Sequence, residues 1–351
     1  MEDRSQAKTA DGIRQFVLCN KNGMSIKIAN IGAAITAINA PDKKGNFADV
    51  ALGFRDLKDY KKPGPYFGCV PGRFANRIAK GRFSLEGKNY QLDVNNGANH
   101  LHGGIAGFDK ALWEVKSHTD NSITLTHFSP DGDQGYPGNL QVSVTYTLND
   151  NNEIHIAYEA TCDKATPLNL TNHTYFNLQG EGTGTVEGHK IKINASRYAP
   201  VDDTQIPTGI APVDDTPFDL RAGAQIGKRL AFRQNPQLHI GNGYDHNFVV
   251  DGEAGTLRQA AHLEEPESGR VLDVFTTEPG VQLYTGNSLD GSISSKTGTV
   301  PYVRHSGFCL ETQHYPDSPN HPEFPSAILE PGKTYTSETV FKFSVQQGAA
   351  R

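Results

Sequence analysis

Apolar and polar residues alternate with a period of two along much of the chain, as in Met24-Ser25-Ile26-Lys27-Ile28, Leu140-Gln141-Val142-Ser143-Val144-Thr145-Tyr146-Thr147-Leu148 and Ile154-His155-Ile156-Ala157-Tyr158. Successive side chains of a strand point to opposite faces, so each run predicts a strand with one apolar face. Asn149-Asp150-Asn151-Asn152 separates the last two runs; such residues tolerate left-handed backbone angles and predict a hairpin. Residues 86–89, 251–255 and 267–270 are read as further hairpin turns, and 339–345 as a closing strand. Helical periodicity is confined to residues 54–60 and 219–230, too short to organise a domain. Many short strands with turn chemistry between them predict an all-β chain, a large antiparallel β-sandwich with a few short helices. No linker, composition shift or fixed repeat marks a boundary, so residues 1–351 are expected to form a single domain.

Composition sharpens this picture. The 36 Gly and 20 Pro make up about 16% of the chain against roughly 12% in average proteins, which excludes an all-α fold. With 33 Lys+Arg against 39 Asp+Glu the net charge is −6, and no basic run occurs, which argues against a nucleic-acid partner. No stretch approaches ~18 apolar residues, and the first eight residues lack the apolar core of a secretory signal. A soluble, cytoplasmic protein without a membrane partner is expected. Cys19, Cys69, Cys162 and Cys309 are far apart, form no C-x-x-C pair and are read as buried, reduced thiols. The sequons at Asn169, Asn172 and Asn194 are read as chance matches.

Five segments carry polar residues in unusual settings. In Gly72-Arg73-Phe74-Ala75-Asn76-Arg77-Ile78, Asn76 and Arg77 offer a fork of donors and an amide acceptor suited to a polyhydroxylated ligand. The competing reading is a surface Arg beside a turn Asn. In Asn99-His100-Leu101-His102-Gly103-Gly104 the two histidines would share a face if extended, which raises a metal, but no third ligand is suitably spaced. A neutral imidazole bonded to a ligand hydroxyl, or a packed loop histidine, accounts for the pattern better. Residues 168–178 continue a strand pattern with polar and ring-bearing side chains on both faces. Within them His173 is the best acid/base candidate, against a core histidine bonded to a carbonyl. Asp245, between Tyr244 and His246, can accept bonds from sugar hydroxyls or orient His246. Glu311 ends an apolar strand before a Pro-rich loop, a place for a rigidly held base, and Gln282 can orient a second hydroxyl or lie on a strand surface.

Gly72-Arg73-x-Ala75-Asn76-Arg77-Ile78, Asn99-His100-Leu101-His102-Gly103-Gly104, Asn172-His173-Thr174-Tyr175-Phe176-Asn177-Leu178, Asp245-His246-Asn247 and Glu311-Thr312-Gln313 stand in an order that resembles the aldose 1-epimerase, or galactose mutarotase, family over nearly the whole chain. The resemblance implies a galactose mutarotase-like supersandwich with an open sugar cleft, an aldohexose such as galactose or glucose as substrate, no metal and no organic cofactor. It implies His173 as general acid and Glu311 as general base, with Asn76, Arg77, His102, Tyr175, Asp245 and Gln282 lining the sugar site. A monomer or weak homodimer is expected.

Anomer exchange requires proton movement at two oxygens, the C1 hydroxyl and the ring oxygen. His173 is therefore expected to titrate near neutrality with the help of nearby negative charge, and Glu311 to stay ionised beside a donor such as Arg77 or His102. Three alternatives remain open at this stage: glycoside hydrolysis by the carboxylates Asp245 and Glu311, an inert sugar-binding module, and an epimerase of hexose 6-phosphates.

Overall fold

In the computed structural model, which describes residues 7–346, three antiparallel sheets hold most of the strands. The first is a meander of Ala7–Lys8, Arg14–Cys19, Ser25–Ala29, Ala34–Pro41 and Phe47–Asp49. The second has nine strands in the order Glu114–His118, Ser122–Ser129, Leu140–Leu148, Glu153–Cys162, Tyr335–Val345, Arg270–Thr276, Arg258–Glu264, Lys190–Ile193 and Ala224–Gln225. The third has six: Tyr175–Phe176, Phe308–Gln313, Gly280–Tyr284, Asp245–Val249, Arg197–Tyr198 and Ala211–Pro212. The apolar face of each turns inward. Ile26 and Ile28 of the first, Val142, Val144, Ile154 and Phe341 of the second, and Phe248, Val281, Leu283 and Leu310 of the third belong to one buried cluster.

The expected hairpin at 149–152 pairs Leu148 with Ile154, and the turns at 86–87 and 267–269 close hairpins as read. Residues 251–255 do not. They carry the chain from Asp245–Val249 in the six-stranded sheet to Arg258–Glu264 in the nine-stranded one, a crossover that alternation on either side cannot distinguish from a hairpin. The strand read at 339–345 begins at Tyr335 and lies in the interior of the large sheet, between Glu153–Cys162 and Arg270–Thr276. Of the expected helices, only Leu57–Lys61 as a 3₁₀ turn and Ile226–Leu230 as a short α-helix form. A third short helix, Pro236–Ile240, starts at Asn235, whose side chain accepts bonds from the Gln237 and Leu238 amides.

The strand reading of 168–178 fails for most of its length. Only Tyr175–Phe176 pairs in the six-stranded sheet, and residues 168–174 run as irregular, buried chain. Buried backbone outside a ladder needs other partners: the N–H groups of Leu168, Asn169 and His173 donate to the carbonyls of Ala327, Arg73 and Cys69, and the asparagine side chains satisfy carbonyls of the neighbouring segments. The Asn169 amide donates to the carbonyls of Ala75 and His314, and Asn172 donates to that of Gly68. Two of the three sequon asparagines, Asn169 and Asn172, are therefore structural. The cysteine reading needs correction too, because Cys19 is exposed and Cys162 half-buried; Cys69 and Cys309 are buried, and all four are free thiols. The first six residues of the amino-terminal reading lie outside the described residues. Among the described residues no helix is long and apolar enough to cross a membrane.

Candidate active site

Register in the six-stranded sheet assembles half of the site. Asn247 pairs with Gln282, which pairs with Glu311, while Asp245 pairs with Tyr284, which pairs with Cys309, which pairs with Tyr175. Directly opposed residues share a face, as do residues two apart, so all seven side chains project from the same side. The opposite side carries Phe248, Val281, Leu283 and Leu310 into the core. Along these strands the alternation therefore separates core from chemistry.

The other half comes from irregular chain laid over that face. Arg77–Ile78 pairs with His100–Leu101, and the two segments lock further where His102 N–H donates to the Asn76 carbonyl and Asn76 N–H donates to His102 Nδ1. Asn76 and His102 both have positive φ, 66° and 51°, as do Tyr66 and Gln205 nearby. Such angles cost energy for residues with a Cβ, and here they aim side chains into one cleft. The cleft measures about 930 Å³ and is lined by Tyr66, Asn76, Arg77, His102, His173, Tyr175, Gln205, Asp245, Tyr284 and Glu311, among others. That is ample room for a monosaccharide, since ligand sites run from about 300 to 1,000 Å³.

At its base His173 Nε2 lies 3.6 Å from Glu311 Oε2, with the two side chains 5% and 3% exposed. The His173 backbone is pinned by its N–H to the Cys69 carbonyl and by its carbonyl to the Gly68 N–H. Its ring sits among those of Tyr66, His102, Tyr175 and Tyr284, with centroids 5.2 to 6.4 Å away, and Cys309 Sγ is 3.6 Å from Nδ1. Glu311 Oε2 is buried with no hydrogen-bond partner.

This setting overturns the expected charge states. Burial pushes His173 from 6.5 down to about 4, and the more distant Asp245 only partly opposes it. Burial and Asp245 together push Glu311 well above the usual carboxylate range, against a weaker pull from Arg77. Arg77 does not serve Glu311 directly, because its guanidinium donates to Gln205 Oε1 at 2.6 Å, Asn96 Oδ1 at 3.2 Å and Asp245 Oδ2 at 3.4 Å. His102 does not neutralise it either, since burial holds that ring neutral.

The two arginines of Gly72–Ile78 divide their duties. Arg73 is buried away from the cleft and donates to the carbonyls of Pro137 and Gly138 and to Ser129 Oγ, so it is structural. The two histidines of 100–102 diverge as well. His100 bonds the Asp93 carbonyl and the Tyr136 hydroxyl, because the positive φ of His102 breaks the extended geometry that would align them. Nitrogen or oxygen atoms of His102, His173 and Glu311 do lie within 4.8 Å of one another, a spacing a cation can bridge. His102 Nδ1, however, accepts a backbone N–H, which puts the ring proton on Nε2 and makes that atom a donor toward the cleft. The set suits hydroxyl groups better than a metal. Gln282 lies beneath the cleft wall, its Nε2 donating to Asp245 Oδ1 at 2.8 Å and its Oε1 unpartnered.

The aldose 1-epimerase family pattern matches residues 14–342. The chain is 50% identical to galactose mutarotase of Sus scrofa over 337 residues, covering 96% of this chain and 95% of that one. It is 38% identical to aldose 1-epimerase of Escherichia coli K12 over 348 residues, covering 98% and 99%. The chain belongs to the aldose 1-epimerase family. Solved structures of family members agree: the aldose epimerase homologue from C. elegans superposes with a TM-score of 0.87 at 33% identity (95% of this chain, 99% of that one), and galactose 1-epimerase from Lactobacillus acidophilus with 0.83 at 30% (98% of each).

In this family member Asn76, Arg77, His102, His173, Tyr175, Asp245 and Glu311 line the cleft, whereas Gln282 does not line it and touches it only through its bond to Asp245. Sequence reading missed Tyr66, Asn96 and Gln205, which stand in loops with no chemical signature beyond Gly and Pro nearby. The glycines beside His102 have a steric reason. A Cβ on Gly103, where φ is +86°, would lie 1.7 Å from the Gly72 carbonyl oxygen. Gly103→Ala is expected to destabilise the fold by about 3 kcal/mol or more in urea denaturation. Gly97→Ala, where φ is also positive but nothing lies within 4 Å, should cost only the roughly 1–2 kcal/mol of the left-handed backbone.

Proposed function

We propose that this chain interconverts the α and β anomers of D-galactose and D-glucose by general acid/base opening and reclosure of the hemiacetal ring, with His173 and Glu311 as the catalytic pair. The observation that carries the roles is the buried approach of His173 Nε2 to Glu311 Oε2 at 3.6 Å at the base of a cleft lined with donors and acceptors.

The pair holds one proton between its two members, either as neutral imidazole with carboxylic acid or as imidazolium with carboxylate. In the second form Glu311 takes the C1 hydroxyl proton while His173 protonates the ring oxygen as its bond to C1 breaks. The open aldehyde then faces a neutral imidazole and a protonated carboxyl. That is the form burial favours, since it pushes His173 down and Glu311 up. The imidazolium is thus a stronger acid and the carboxylate a stronger base than either would be in water, and both differences favour ring opening. Rotation about C1–C2 and the reverse transfers close the ring from the other face. The acid and base return to their starting forms, and the protein supplies no net proton.

Asn76, Arg77, His102, Tyr175, Asp245 and Gln282 hold the hydroxyls during that rotation. Asp245 accepts bonds from Arg77, Gln205 and Gln282, which hold its carboxylate in place within the cleft. Shared burial of the three sheets supports one domain over the described residues 7–346, and Arg77, alone among their lysines and arginines in lining the cleft, is poor provision for a phosphate dianion, which supports unphosphorylated sugars as substrates. Polarimetry with freshly dissolved α-galactose and α-glucose tests the reading. Catalytic amounts of protein should speed both approaches to equilibrium, and no acceleration of either would reject it.

A further inference from the structure

A residue outside the expected set stands at the centre of the cleft's hydrogen bonding. Gln205 accepts from Arg77 Nη2 at 2.6 Å through Oε1 and donates to Asp245 Oδ2 at 3.2 Å through Nε2, so its carboxamide bridges the cleft's arginine and a carboxylate. The turn that presents it is fixed from several sides. Asp202 Oδ1 accepts from the amides of Thr204 and Ile206 and from the Thr204 hydroxyl. The Gln205 N–H donates to the Asp202 carbonyl, Val201 bridges to Pro207, and the Thr204 carbonyl accepts from Asn99 Nδ2. At the apex Gln205 has φ +65°, a conformation glycine adopts at lower cost. A strained residue that spends its side chain on two groups of the ligand cleft is a candidate for function.

One acceptor and one donor, set side by side between a guanidinium and a carboxylate, present the same pattern as two adjacent sugar hydroxyls. Asp245 lies two strands from Glu311, about 10 Å across the sheet at ~4.8 Å per strand, so this end of the cleft faces the part of the ring remote from the anomeric carbon. Building on the anomer-exchange reading, we propose that Gln205 is a substrate-binding residue, its carboxamide set between Arg77 and Asp245 so as to bond a ring hydroxyl remote from C1. It therefore helps decide which aldoses fit. Because it is far from the two proton transfers, its contribution belongs to binding and not to the chemical step.

The test uses the full chain with Gln205→Leu and Gln205→Gly, measuring anomerisation of galactose, glucose and singly deoxygenated galactoses together with galactose affinity by calorimetry. Loss of one hydrogen bond to the sugar should raise KM and Kd for galactose about tenfold with kcat within about twofold. One deoxygalactose lacking a hydroxyl remote from C1 should cost the wild type a similar factor and the variants nothing further. Gln205→Gly relieves the positive φ, so its melting temperature should hold or rise while affinity falls, a combination a purely structural glutamine would not produce. Unchanged KM and Kd in both variants, or a loss of kcat alone, would overturn the assignment while leaving the anomer-exchange reading intact. If the wild type does not accelerate mutarotation, that reading falls instead, and the Kd comparison alone decides Gln205.

Discussion

Glu311→Gln is expected to lower the rate of anomer exchange by on the order of 10²- to 10⁴-fold while making the folded protein more stable at neutral pH. The first effect follows because an amide keeps the size and hydrogen-bonding shape of the carboxyl but cannot accept the C1 proton. The second follows from linkage. Glu311 titrates in the folded protein well above the 4.5 of an ordinary glutamate, so the unfolded chain releases this proton first as pH rises. Its effect on stability is absent below about pH 4.5 and becomes a growing penalty as pH climbs towards the folded value. The amide removes that penalty. The gain in melting temperature over wild type should therefore be largest at pH 7–8 and shrink towards pH 4.5. A variant that is inactive and no more stable at pH 8 would show that burial is not what holds Glu311 protonated. His173→Ala should lose activity to a similar degree, and a near-normal polarimetric rate in either variant would reject the assigned roles.

The rate should also follow a bell-shaped pH profile set by the pair as a unit. Catalysis needs one proton on His173 and Glu311 together, and such coupled groups titrate in two macroscopic steps. The acid limb lies near 4, where His173 gains a second proton for the pair, and the alkaline limb where Glu311 finally ionises, well above the ordinary carboxylate range. Between them kcat/KM should be flat, on a plateau that extends above the ordinary carboxylate range. Had His173 titrated near 6.5 and Glu311 near 4.5, the plateau would instead be narrow and acidic, so stopped-time polarimetry from pH 4 to 9 separates the two cases. Stability constrains the acid end. His102, His173, His189 and His246 are all buried with lowered pKa values, the last three at about 4. The unfolded chain takes up their protons below about pH 6.5, so fold stability falls from there towards pH 4, and melting curves must accompany the rates.

Histidines show how far residue type carried the reading. His173, His100 and His314 all occur in polar, ring-rich segments, and although the sequence favours His173 as the acid/base group, local sequence does not show why the other two are excluded. Tertiary contacts do. His100 is tied to a carbonyl and a tyrosine, and His314 forms a buried pair with Glu278 at 2.7 Å that keeps the imidazole charged and the carboxylate ionised. His173 faces Glu311 without a close hydrogen bond. The expectation of a near-neutral His173 failed for the same reason, since burial is a property of the packed cleft and not of the neighbours in sequence. Asn76, Arg77, His102 and Asp245 were legible because fork donors, ring nitrogens and carboxylates in turn-like settings are costly to place without a use. Gln205 was not, because a glutamine after Asp-Asp-Thr resembles any surface turn until its φ and its two partners are seen.

Alternation along the chain by itself determined the fold class and which face of each long strand meets the core, because side-chain direction in a strand depends only on parity. The order of the polar segments, through its resemblance to aldose 1-epimerases, pointed to the family. Tertiary structure alone decided which strands neighbour which, that residues 251–255 join two sheets, and that positions 173 and 311 meet. Those facts depend on register between segments separated by more than a hundred residues, and on a balance of desolvation against neighbouring charge that exists only once the cleft has closed around the pair.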